Sequence, residues 1–212
     1  MTSQDSVVLL GDNLTEWGDF SGLSGRFRPC GAAGPVNHGC AGDTTRTLLD
    51  RLHETTMLRP GWVFVQAGIN DLAQGSAPEE LVARLSKIWA RIALESPGTR
   101  VGVLNLLPLC PGRFEWTGFS LNNPLIRRVN AAIQEAASRS GALYLDLYAA
   151  YADPKGDLPE NYTQDGLNLL PEAYGPWTEL LITVLQKEGL SRGAASREGG
   201  SAGGGEEPAR GA

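Results

Sequence analysis

The sequence is short of the features that take a protein into a membrane, out of the cell or onto a nucleic acid. Its apolar runs are brief. The first, residues 6–10, meets Gly11 and Asp12 at once, which makes it too short for a membrane span or a signal peptide, and the MTSQDS ahead of it carries no positive charge. The chain is therefore expected to start at Met1 and to stay in the cytoplasm, where the sequons at Asn13 and Asn161 have no meaning. Positive charge is scarce as well: 18 Lys and Arg stand against 24 Asp and Glu, a net charge of −6, and no basic cluster offers to neutralise phosphates. A nucleic-acid partner is excluded on that ground. The three cysteines, Cys30, Cys40 and Cys110, are odd in number and lack CxxC spacing, as reduced thiols do, so neither a disulfide frame nor a zinc site is expected. No phosphate loop, metal cluster or cofactor motif is present.

What is there describes one ordinary soluble domain. Its 212 residues are enough for a full core, and 42% apolar with 20% charged residues is a globular balance. Residues 6–10 are rich in β-branched and aliphatic side chains and end in a tight Gly-Asp turn, which predicts a buried strand. Asn13 follows at the place where a strand-to-helix turn exposes a small side chain, with a plain capping role for the helix from residue 14 as the simpler reading.

Residues 18–34 are rich in Gly and Pro and read as a loop, and 36–38 as a brief extended piece. Asp43 is the expected N-cap of an amphipathic helix over 44–58, which Pro60-Gly61 stops. A strand over 62–67 ends in Gly68-Ile69-Asn70-Asp71. The period of Leu81, Leu85, Ile88, Trp89 and Ile92 predicts a helix over 78–95. A strand over 101–107, a long loop over 108–123, a helix from Pro124 to Gly141, a strand over 142–148, a polar turn-like segment over 149–165 and a closing helix over 171–186 complete the pattern. Strands alternating with helices imply right-handed crossovers and a mostly parallel sheet covered on both faces, with function at its carboxyl rim. The expected domain is 1–188. Residues 189–212 are expected to be a disordered tail, because Gly, Ala, Ser, Glu and Arg bury too little to fold.

Six stretches in order carry a resemblance: LLGDN at 9–13, VNHGCAGDTTRTLLDRL at 36–52, VFVQAGIND at 63–71, VLNLLP at 103–108, NPLIRRVN at 123–130 and DGLNLLPEAY at 165–174. Together they resemble the SGNH, or GDSL-type, esterases and lipases, most of all the catalytic subunits of platelet-activating-factor acetylhydrolase and their bacterial relatives. The resemblance implies a three-layer α/β/α sandwich of flavodoxin-like type and an acyl-ester hydrolase site. In that site a Ser nucleophile would stand at position 13 and a His base at position 168, with Asp165 orienting the base. The backbone N–H of residue 13, the backbone N–H of Gly39 and the side-chain amide of Asn70 would form the oxyanion hole. This chain departs at two of these places, carrying Asn13 and Asn168.

A carboxamide offers hydrogen bonds but no hydroxyl to activate and no basic nitrogen near neutral pH. Where a triad has been dismantled the loss is on the order of 10⁶ in turnover, and oxyanion donors with binding alone retain roughly 10³ to 10⁴ over water. Three readings follow. The pocket persists and binds a small acyl, acetylated-sugar or lysolipid-like ligand without turning it over. Alternatively, a displaced site uses Cys40 as nucleophile and His38 as base beside Gly39. The third is a scaffold that pairs with an active homologue, with a homodimer as a further possibility. His53, near the end of its helix, and Arg46 and Arg51 on the same helix read as surface or ion-paired groups. The loops 18–34 and 108–123 carry no motif that names a ligand.

Overall fold

The computed structural model describes residues 6–23, 35–114 and 121–195. Cys30, most of the 18–34 loop, the middle of the 108–123 loop and residues 196–212 of the expected tail lie outside them.

Among the described residues five short strands form one parallel sheet: β1 (Val7–Gly11), β2 (Val36–Gly39), β3 (Trp62–Gln66), β4 (Arg100–Leu104) and β5 (Leu143–Leu145), in the order β2-β1-β3-β4-β5. This is the flavodoxin-like order, with its reversal of direction between β1 and β3, the place where open α/β sheets bind their ligands. Among the described residues seven α-helices connect and cover the strands: α1 (Asn13–Glu16), α2 (Thr45–Thr56), α3 (Ile69–Ala73), α4 (Pro78–Glu95), α5 (Asn123–Ser140), α6 (Leu147–Tyr151) and α7 (Gly175–Ala195).

β1 and β3 are buried along their whole length because both faces are covered, which is why they read as unbroken apolar runs. Alternate residues go to opposite layers. Val8, Leu10, Val63 and Val65 pack with Leu48 and Leu52 of α2, the 81–92 stripe of α4, and Ile126, Val129 and Ile133 of α5. Val7, Leu9, Trp62 and Phe64 pack with Leu14, Leu147, Tyr151 and the α7 residues Trp177, Leu181 and Leu185. The mostly parallel, doubly covered sheet expected from the pattern and the three-layer α/β/α sandwich implied by the resemblance are therefore the observed architecture.

Local chemistry moves several boundaries. Asp12, not Asn13, caps α1, its Oδ1 accepting from Leu14 N–H at 3.1 Å, so Asn13 becomes the first helical residue. α2 is capped by Thr44 in a reciprocal pair with Thr47, while Asp43 accepts from the Thr47 hydroxyl at 2.8 Å. Beyond Leu104 only Asn105 N–H still reaches β5, at the Leu145 carbonyl at 3.3 Å, and Leu106 N–H turns aside to Asn130 Oδ1 at 2.9 Å, which ends β4. The strand expected over 142–148 is only three residues long, since Asp146 caps α6 by accepting from Ala149 N–H at 3.0 Å. Pro171–Tyr174 is a 3₁₀ turn, and the closing helix runs on to Ala195. No helix among the described residues is long and apolar enough to cross a membrane.

Candidate active site

The register of the sheet sets the site. Gly11 stands level with Gly39 on β2 and with Gln66 on β3, so the segments leaving these three strands emerge side by side at the carboxyl rim. Gly11 has to be glycine: a Cβ there would fall on the Thr15 hydroxyl and the Gln66 carbonyl. Asn13 opens α1 and is buried; as a first-turn residue its backbone N–H has no acceptor within the helix. Asn70 stands in α3, just after Gly68, whose φ of 134° turns the chain out of β3. Asp165 and Asn168 lie on a loop bent at Gly166, φ 84°, where a side chain would meet the Phe114 backbone at 2.6 Å.

Four of the five expected site residues are joined by hydrogen bonds. Asn70 Nδ2 donates to Asn13 Oδ1 at 3.1 Å, Asn13 Nδ2 donates to Asn168 Oδ1, and Asn168 Nδ2 donates to Asp165 Oδ2 at 2.6 Å. The direction of this chain is fixed at both ends. An ionised Asp165 only accepts, so Asn168 must present its NH₂ there and its oxygen to Asn13. At the other end Asn70 Nδ2 also donates to the Asp43 carbonyl at 2.9 Å, another pure acceptor. Three carboxamides thus stand head to tail with no conflict of donor against donor, and the path carries dipoles rather than a transferable proton.

Asp165 is held firmly. Its Oδ1 accepts from Asn168 N–H at 2.8 Å, Leu167 N–H at 2.9 Å and the Thr163 hydroxyl at 3.3 Å. Partial burial works to raise its pKa, but these bonds and that from the Asn168 side chain outweigh it and hold the carboxyl below its ordinary range. Asp12 goes the other way. Complete burial, with the charges of Asp43 and Asp71 adding to it and the Leu14 N–H opposing, pushes it up to about 7. Its Oδ2 has no hydrogen-bond partner among the described residues.

Gly39, the fifth expected residue, is differently placed. Its N–H donates to Asn37 Oδ1 at 2.8 Å, and a Cβ on it would land on the Glu16 backbone. It packs β2 against α1, with its donor already used. Three residues on, Gly42 has φ 83° with open space where a side chain would be, and it precedes Asp43, whose carbonyl is held by Asn70. The spacing VNHGCAG offers two glycines, and only the strand register distinguishes them. Sequence reasoning also passed over Asn37 and Glu16. Asn37 Nδ2 donates to the Thr15 carbonyl at 2.8 Å, and Glu16 Oε2 accepts from Ala41 N–H at 2.7 Å; together they staple the 39–42 turn to α1. An Asn two residues before a glycine is a common enough turn signal to have flagged the first of these.

The neighbouring acids are paired. Asp43 Oδ2 accepts from Arg51 Nε at 2.6 Å, and the buried Asp71 accepts from Thr45 N–H at 2.8 Å, the Thr45 hydroxyl at 2.6 Å and Arg84 Nη2 at 3.2 Å. His38 Nδ1 is hydrogen-bonded to the Thr55 hydroxyl at 2.8 Å, and burial, with the Arg51 charge, lowers its pKa. Cys40 is exposed, and no hydrogen bond links it to His38 among the described residues. Nor do the described residues contain a group of three His, Cys, Asp or Glu that could hold a metal.

Comparison with known proteins bears on the fold and the family. No curated protein matches the chain. Similar solved structures include a GDSL-like lipase from Bacteroides thetaiotaomicron (22% identity over 89% of this chain and 91% of that one, TM-score 0.73) and a lipase/acylhydrolase from Enterococcus faecalis (22%, 86% and 96%, TM-score 0.69). Another is the acetyl-xylooligosaccharide esterase Axe2 of Geobacillus, seen as a mutant (17%, 84% and 92%, TM-score 0.67). At these identities the likeness is one of fold. The model of the GDSL-like lipase/acylhydrolase family matches residues 9–175, and the chain belongs to that family.

Proposed function

We propose that this protein is a GDSL-family member whose rim site binds an acyl-ester or acetylated ligand without hydrolysing it at the rate of an enzyme. The observation that carries the reading is the unbroken Asn70–Asn13–Asn168–Asp165 chain. It occupies the positions of nucleophile, base and orienting acid with groups that give and accept hydrogen bonds but move no proton near neutrality. The backbone N–H of residue 13 supplies one oxyanion donor and the Asn70 amide a second, a ligand oxygen taking the place of Asn13 Oδ1 as its acceptor while its other hydrogen stays on the Asp43 carbonyl; we assign the third to the N–H of Gly42 rather than Gly39, whose N–H serves Asn37. Such donors recognise a carbonyl oxygen whether or not a nucleophile attacks it. Axe2 acts on acetylated sugars, which supports an acetylated ligand as one class to try. The displaced-site reading loses support because His38 is turned to Thr55.

The test is hydrolysis of p-nitrophenyl acetate and butyrate by the wild type beside the Asn13→Ser, Asn168→His double variant. Asp165 Oδ2 already stands within hydrogen-bond distance of the residue-168 side chain, so the reintroduced imidazole meets its orienting partner in place. The expected result is an inert wild type and a double variant that turns over. A wild-type kcat of about 1 s⁻¹ or more, in the usual enzyme range, would overturn the proposal.

A further inference from the structure

We infer that Arg51 is a positioning residue of the rim site, holding the Gly42–Asp43 turn and residue 13 in register with each other. Its guanidinium makes contacts that belong to three separate segments. Nη2 donates to the Gly11 carbonyl at 3.2 Å and to the His38 carbonyl at 2.8 Å, on the last residue of β1 and the last but one of β2, just before the chain enters the site. Nε donates to Asp43 Oδ2 at 2.6 Å. Asp43 in turn offers its carbonyl to Asn70 Nδ2, which also reaches Asn13 Oδ1, two residues beyond Gly11. The contacts therefore close a circuit: Arg51 to Gly11, along the backbone to Asn13, across to Asn70, to Asp43 and back to Arg51. A single planar fork, four-fifths buried, spans it.

Geometry makes Arg the residue for this. Two carbonyls and a carboxylate at fixed angles match a rigid fork with five N–H groups, whereas an ammonium is a point donor on a flexible stem. The two oxyanion donors contributed by the turn and by α3 are correct only relative to residue 13, and small misplacements at such sites are costly. The hydrogen bonds of Arg51 go to Asp43, Gly11 and His38, so it acts on the site through these groups. The inference rests on the functional reading above only for its consequence in turnover; the circuit stands without it.

The experiment has two arms. In ¹⁵N-labelled protein with Asn13 and Asn168 unchanged, Arg51→Lys is expected to accelerate hydrogen exchange of the Asn70 side-chain NH₂ at least tenfold. The Asn168 NH₂, anchored by Asp165 at the far end of the chain, should stay within twofold, and unfolding should remain cooperative. Arg51→Gln takes the place of R51K should the latter fail to fold. In the Asn13→Ser, Asn168→His background the same substitution is expected to lower kcat for p-nitrophenyl acetate at least tenfold with KM within twofold. An unchanged Asn70 exchange rate, or equal acceleration at Asn70 and Asn168, overturns the positioning role. An inert double variant overturns the functional reading while the exchange arm still decides on Arg51.

Discussion

Asp12 is a carboxyl group in a place that resists charge. It is fully buried and one oxygen has no hydrogen-bond partner among the described residues; its folded-state pKa is about 7 against about 4 in an unfolded chain. A raised acid pKa means that folding takes up a proton between those values; stability is complete below about pH 4 and is lost as pH rises through about 7. Asp12→Asn keeps the cap to Leu14 and removes the titration. Urea unfolding of the pair should show nearly equal stability at pH 4 and a growing advantage for the variant, up to about 4 kcal/mol, at pH 8. Asp165 has the opposite sign. Its depressed pKa contributes stability above the ordinary carboxylate range that is lost as pH falls through the folded value. Asp165→Asn should cost about 1–3 kcal/mol at pH 7, because an amide can set donor against donor at Asn168. Equal denaturation midpoints for the variant and the wild type would contradict this. Both acids are visible in the sequence as motif letters. Their opposite environments are not, because burial and the count of N–H groups aimed at each oxygen arise only when distant segments meet.

At the scale of elements, the two glycines of the 39–42 turn separate packing from conformation. Gly39→Ala places a methyl group on the α1 backbone at Glu16, where nothing flexible can yield, and should cost about 3 kcal/mol, with α1 displaced from β2. Gly42→Ala meets open space and only the strain of a φ of 83°, about 1–2 kcal/mol. Thermal denaturation of the two variants should rank them in that order, and the reverse order would mean that Gly39 is not the packing residue. Periodicity makes most elements legible: α4 is found at the residues its apolar stripe marks, and the buried runs at 6–10 and 62–67 are strands. Elements set by capping side chains are harder to read. α3 and α6 are five residues each, too short for a helical period to show, and β5 is shorter than its apolar run because Asp146 turns the chain first.

Across the whole molecule the sheet is the shared wall of two cores. Leu52 of α2 lies in one and Leu181 of α7 in the other, both without exposed surface. The strands between them are single residues thick, so each core is half of what holds the same backbone ladder in place. That arrangement explains why side chains at the rim can vary while the fold endures: the carboxamide chain bridges segments that the two cores already position, and the side chains at 13 and 168 contribute to neither core. It also means that the sandwich should unfold as one unit. Leu52→Ala and Leu181→Ala are each expected to cost about 2–5 kcal/mol, with the spread set by how far the cavity collapses. Placed on opposite faces without shared partners, they should add to within about 0.5 kcal/mol in the double variant, with one transition in denaturant followed by both fluorescence and circular dichroism. Two transitions in either single variant would show that the layers fold separately, and the rim site would then depend on only one of them.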